Sequence, residues 1–130
     1  MQNLYAGFGC RRGCPAKTLD TLLRQALKHH GLSQTALQGI ASIDLKADEP
    51  GLLELARHFA LPLVTFSAAQ LLAFEPQLSH RSAVAYANSG CWGVAESSAL
   101  ALARQQHPAS HLLVTRQTLG PATLALAYGG

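Results

Sequence analysis

Three times along this sequence a short apolar run gives way, through glycine, proline or serine, to a stretch whose apolar residues recur at helical spacing. A strand followed by a helix, repeated, buries both elements only when the strands share one sheet and the helices lie on its faces. The first run is 4–8. Pro15 then opens a helix where a missing N–H does no harm, and Leu19, Leu22, Leu23, Ala26 and Leu27 mark its buried face before Gly31 ends it. The second strand spans 37–45. Asp48 or Glu49 caps a helix begun by Pro50, with Leu52, Leu53, Leu55, Ala56 and Phe59 turned inward. The third strand, 63–66, leads into a short helix capped by Ser67, carrying Leu71, Leu72 and Phe74 and stopped by Pro76.

The remainder departs from that alternation. Residues 77–88 have no clear period and read as a mobile loop with an irregular or brief helical piece. A small-residue helix follows over 93–106, with Ala95, Ala99 and Ala103 at four-residue spacing. Two further runs, 111–116 and 122–128, flank Thr-Leu-Gly-Pro as a C-terminal antiparallel hairpin. The fold class is therefore α/β: one domain over residues 1–130, with a mixed sheet of about five strands and flanking helices.

With 48% hydrophobic residues the chain has ample material for one core at this size. A net charge of +3 is small for a duplex-binding face, so nucleic acid is not an expected partner. No apolar run is long enough to span a bilayer, and the N-terminus lacks a signal-peptide pattern, so a cytoplasmic protein without a membrane partner is expected. Cys10, Cys14 and Cys91 are an odd set without zinc-ligand spacing, and the six histidines are scattered. Free thiols, exposed histidines, no metal site and no cofactor are the expectations.

Chemistry is expected at the helix starts. The first, 7–15, sets Gly9 and Gly13 around Arg11 and Arg12, so that backbone N–H groups and guanidinium groups can meet one anion. It fits neither the dinucleotide-binding nor the P-loop spacing; a tight turn with solvated arginines is the alternative. The second, 46–51, holds Lys46 beside Asp48 and Glu49, whose carboxylates also suit a helix start. The third, 89–96, carries Trp92, Gly93 and Glu96. The single tryptophan is suited either to stacking on a flat ligand or to anchoring the loop. If the strands are parallel, all three starts face one crevice.

These blocks are also where the sequence resembles a known family. Residues 7–13, 46–52 and 93–100, with Leu61-Pro62-Leu63 and Thr123-Leu124-Ala125, are similar in order and spacing to the CobE/CbiG C-terminal domain family of cobalamin biosynthesis. The resemblance implies a protein that binds or processes a polycarboxylate precorrin intermediate, with other cobalamin-pathway enzymes as further partners. The full-length family enzyme opens a lactone on cobalt-precorrin-5A and carries additional N-terminal regions, whereas the length here points to the stand-alone form. Under the resemblance Gly9, Arg11, Arg12, Gly13, Lys46, Glu49, Trp92 and Gly93 are the expected ligand-binding residues. Glu96 as a base and Lys46 as an anion stabiliser are the expected catalytic pair if a lactone is opened. A generic anion-binding regulatory domain is the alternative from another class.

Overall fold

The computed structural model describes residues 3–129. Strand β1 (Asn3–Cys10) is followed by helix α1 (Ala16–His29), β2 (Leu37–Ile43), α2 (Pro50–Phe59), β3 (Leu63–Phe66), α3 (Ala68–Leu72), α4 (Ala83–Ser89), α5 (Val94–Gln106), β4 (His111–Leu119) and β5 (Ala122–Gly129). The five strands form one mixed sheet in the order β3-β2-β1-β5-β4. Strands β1, β2 and β3 are parallel, and β5 runs antiparallel to both β1 and β4. This is the expected α/β class with its C-terminal hairpin.

Alternation along β1 divides the core. Leu4, Ala6 and Phe8 pack with Leu19, Leu23, Leu52 and Leu55 of α1 and α2 on one face. Tyr5 faces the other side, with Ala95, Ala99 and Ala103 of α5. Helix α5 is buried on nearly every side from Ala95 to Ala103, which small side chains permit. Gly7 sets the closeness: a Cβ there would lie 2.0 Å from the Ala95 carbonyl oxygen and 2.6 Å from the Ala99 nitrogen.

Several boundaries differ from the sequence reading, each for a local reason. Strand β2 ends at Ile43; Leu45 sits in a 3₁₀ turn, Asp44–Lys46, and is 62% exposed. Leu53 and Leu72 are exposed, and Phe59 and Phe74 only half-buried, because α2 and α3 each bury a single narrow face, Leu52, Leu55 and Ala56 in α2 and Leu71 in α3. The helix expected to stop at Pro76 ends earlier, at Leu72, and Pro76 lies inside a 3₁₀ turn, Glu75–Gln77. The brief helical piece expected within 77–88 is α4, which Ser82 caps and Gly90 closes at φ 75°. Strand β4 runs on to Leu119, so the hairpin turn shrinks to Gly120-Pro121. Gly120 at φ 54° supplies the positive φ a two-residue turn needs.

No helix among the described residues is long and apolar enough to cross a membrane.

Candidate functional site

The site is built where β1 and β2 part. Their ladder stops at Gly7 opposite Ala41, while β1 goes on beside β5 to Cys10 and β2 beside β3 to Ile43. Past the last rung the buried Ser42 hydroxyl donates to the Phe8 carbonyl at 2.7 Å, satisfying a group the ladder abandons. In an open α/β sheet the carboxyl ends of parallel strands are where a ligand crevice forms.

Around this edge stand the N-termini of the three long helices. Pro15, Glu49 and Gly93 occupy the N-cap positions of α1, α2 and α5, and none supplies a side-chain cap. The short helices α3 and α4, by contrast, are capped by Ser67 and Ser82. Long helices left uncapped at one edge aim unsatisfied N–H groups and positive dipole ends there.

The two loops after β1 and β2 interlock. Glu49, the residue expected as a cap, instead accepts the Gly13 N–H through Oε1 at 2.8 Å, and Gly13 takes φ 81° in that turn. Gly51 passes so close to the Cys14 carbonyl that a Cβ would lie 2.2 Å from its oxygen. The Arg11 N–H donates to Pro121 O at 3.0 Å, tying the first loop to the hairpin. The side chains of Arg11 and Arg12 are exposed, Lys46 is half-buried and Glu49 is 6% exposed. Among the described residues the ion pairs are Arg24–Asp20 and Arg81–Glu75, so Lys46 forms no bridge to Asp48 or Glu49.

The thiols register the same neighbourhood. Burial pushes Cys10 from an ordinary 9.0 up to about 11, Lys46 draws it partly back, and Cys14 and Glu49 add to the rise. Burial raises Cys14 too, with Glu49 acting the same way and Arg11 and Lys46 opposing. Both thiols are therefore protonated at neutral pH, the form that is a poor nucleophile. The raised value means that Cys10 contributes stability below about pH 9, lost as pH climbs through about 11.

The third helix start differs in use. Glu96 is 1% exposed, and both its oxygens are engaged. Oε1 accepts the Ser79 N–H at 2.8 Å and the His80 N–H at 3.4 Å; Oε2 accepts the Ser79 hydroxyl and, at 2.9 Å, the Arg116 N–H. That last bond falls in a register shift of β4 between Val114 and Gln117. Glu96 thus ties the segment before α4 and the irregular part of β4 to the start of α5. Gly93 packs under Leu78, and Gly9 under Thr123 and Val94. Trp92 is half-buried, its ring stacked on Tyr86 with centroids 4.3 Å apart and planes at 21°.

The structure therefore joins Gly9, Arg11, Arg12, Gly13, Lys46 and Glu49 in one place, with Gly93 and the base of α5 beside Gly9. It adds Ser42, Ser79, Tyr86 and Pro121. Of these, only Tyr86 had a sequence signal, since Ser82 and Gly90 bracket its helix with an N-cap and a C-cap residue.

Two hollows lie outside this group of residues. One, about 290 Å³, is lined by His107, Ser110, His111 and Tyr128 at the carboxyl end of α5; the other, about 280 Å³, lies between α1 and α2 beside Lys17, Asp20, Glu54 and His58. The first sits at the negative end of a helix dipole and the second holds two carboxylates, so neither suits a polyanion.

Comparison with known proteins follows the same outline. The family model described as cobalamin synthesis G C-terminus matches residues 4–127. Protein CobE of a Sinorhizobium species is 38% identical over 124 residues, 95% of this chain and 79% of that protein. The cobalt-precorrin-5A hydrolase of Salmonella typhimurium is 45% identical over 74 residues, 57% of this chain but only 21% of the hydrolase. A crystal structure of CobE, described as a protein from the cobalamin (vitamin B12) biosynthetic pathway, superposes with a TM-score of 0.92 at 44% identity, covering 98% of this chain and 90% of that one. The cobalamin biosynthesis protein chiG of Agrobacterium tumefaciens str. C58 superposes with a TM-score of 0.73 at 30% identity, covering 95% and 96%.

Proposed function

The chain belongs to the cobalamin synthesis G C-terminus family, and from that premise we propose that it binds a polycarboxylate precorrin intermediate at the carboxyl edge of β1–β3. The observation that carries the reading is the convergence of Arg11, Arg12 and Lys46 with three helix N-termini that lack side-chain caps. Acetate and propionate groups around a flat macrocycle call for donors spread along an edge. Guanidinium groups and backbone N–H groups supply them as charge-assisted bonds. Glu49 orders the first loop through Gly13 and so sets where the arginines stand.

Binding is the better-supported activity. The chain spans about a fifth of the Salmonella hydrolase it matches, and Glu96, the candidate base, has both oxygens occupied by protein donors. We assign Glu96 a positioning role and Lys46 a ligand-binding one. The action takes place in the cytoplasm, alongside other enzymes of corrin synthesis.

The test is a calorimetric titration with an octacarboxylate porphyrin as probe, at low and high salt. Charge-assisted bonds contribute about 1.5–3 kcal/mol each, so Arg11→Ala with Arg12→Ala is expected to weaken binding at least about tenfold and to flatten the salt dependence. Unchanged affinity in the double variant would contradict the site.

A further inference from the structure

We propose that residues 82–92 form the apolar wall of this site, an Ω-loop that closes over the bound macrocycle with the Tyr86–Trp92 pair against its flat face. The proposal rests on the reading of the crevice given above, and it assigns to Tyr86 and this loop a binding role of their own.

The loop is a self-contained unit. Its ends are joined by the Ser82 N–H donating to the Trp92 carbonyl at 2.8 Å. Inside it, Ser82 Oγ accepts the Ala85 N–H, Tyr86 N–H reaches Ser82 O, and Gly90 N–H reaches Tyr86 O. The Ser89 hydroxyl donates to Ala85 O and accepts the Cys91 N–H. A compact surface loop with close ends, satisfying its own polar groups, is the form functional Ω-loops take.

Little holds the unit down. Helix α4 buries no residue, and Val84 is 71% and Tyr86 43% exposed. Few buried apolar contacts and local hydrogen bonding are the marks of a segment that opens cheaply. Its roots, however, are firm. Cys91 is 1% exposed in the core beside α5, and Gly90 lies against Ala68 at the start of α3. Ahead of the loop, Ser79 and His80 are pinned by Glu96. The loop therefore stands on the same carboxyl edge as the crevice and cannot wander from it.

Its chemistry complements that of the crevice. From Ser82 to Trp92 there is no Asp, Glu, Lys, Arg or His, whereas the loops after β1 and β2 carry Arg11, Arg12 and Lys46. A ligand with a flat apolar body and a carboxylate fringe would use both, the fringe on the basic loops and the body on the stacked rings. Offset-stacked aromatic pairs gain from a third flat surface through buried area as well as ring geometry.

Two probes separate the loop from the crevice: an octacarboxylate porphyrin, which has both fringe and flat body, and benzenehexacarboxylate, a polycarboxylate too small to span the two. Porphyrin is expected to slow hydrogen exchange of the amides in 83–89, and benzenehexacarboxylate is expected to leave them unchanged. Tyr86→Ala is expected to weaken porphyrin binding about fivefold or more while leaving benzenehexacarboxylate binding and the melting temperature unaltered. Tyr86→Phe should restore the affinity. Porphyrin binding that depends on Arg11 and Arg12 yet ignores Tyr86→Ala and leaves 83–89 unprotected overturns the loop and spares the crevice. Binding indifferent to the arginines that still protects 83–89 does the reverse. Failure of the wild-type chain to bind either probe overturns both.

Discussion

Gly7→Ala is expected to cost at least about 3 kcal/mol of folding stability, at the upper end of what overpacking a core produces. The new methyl carbon would stand 2.0 Å from the Ala95 carbonyl oxygen, 2.6 Å from the Ala99 nitrogen and 2.7 Å from Ser98 Oγ. The two nearest are backbone atoms of a helix, which cannot rotate aside as a side chain can. Relief therefore requires moving α5 bodily off the sheet, away from Tyr5, Ala125 and Ala127, with which it shares a core. Gly39→Ala is the control. Its Cβ meets first the terminal methyl of Leu102, at 3.0 Å, and a flexible leucine can yield. Urea denaturation followed by circular dichroism measures both. A Gly7→Ala loss below about 1 kcal/mol, equal to that of Gly39→Ala, would mean that α5 does not sit where it is described.

The second large effect is expected at Glu96. Glu96→Ala removes the acceptor for Ser79 N–H, Ser79 O–H, His80 N–H and Arg116 N–H together. Buried donors left without partners cost about 1–3 kcal/mol each when no water reaches them. A net loss of about 3 kcal/mol is expected, since the segment at 79 and 80 can turn toward solvent. Glu96→Gln keeps one acceptor oxygen but turns an N–H₂ toward donors, and about half that loss is expected. The specific mark is amide exchange, which should accelerate at Ser79 and Arg116 and remain slow in the β1–β5 ladder. Unchanged exchange at those two amides would show that the carboxylate does not hold them.

The main elements were legible because their signals are local. The leucines of α1 recur on one helical face, Pro50 sits where a helix begins, and Gly120-Pro121 can only turn. The parallel arrangement of β1–β3 followed from strand-then-helix order, and it is what brings Arg11, Lys46 and Glu49 to one edge. Two kinds of information were not legible. Exposure of Leu53 and Leu72 depends on how wide a face the neighbouring elements cover, which no spacing within the helix records. The roles of Glu49 and Glu96 depend on partners far along the chain. A glutamate just before Pro50 reads as a cap, yet the Gly13 N–H, brought alongside by the parallel β1–β2 pair, claims its oxygen. A glutamate in the first turn of α5 reads as a dipole partner or a base, yet at the register shift in β4 its Oε2 accepts the Arg116 N–H. Residues 77–88 disclosed only a brief helical piece for the opposite reason: helix α4 has no buried face, so it leaves no apolar period to read.

The central claim is that an anionic ligand binds at the carboxyl edge of β1–β3, and amide chemical-shift mapping with an octacarboxylate porphyrin tests it most directly. The predicted result is a set of perturbed amides confined to 9–13, 46–52 and 82–96. Perturbation centred instead on His107, Ser110, His111 and Tyr128, at the far end of α5, would contradict it.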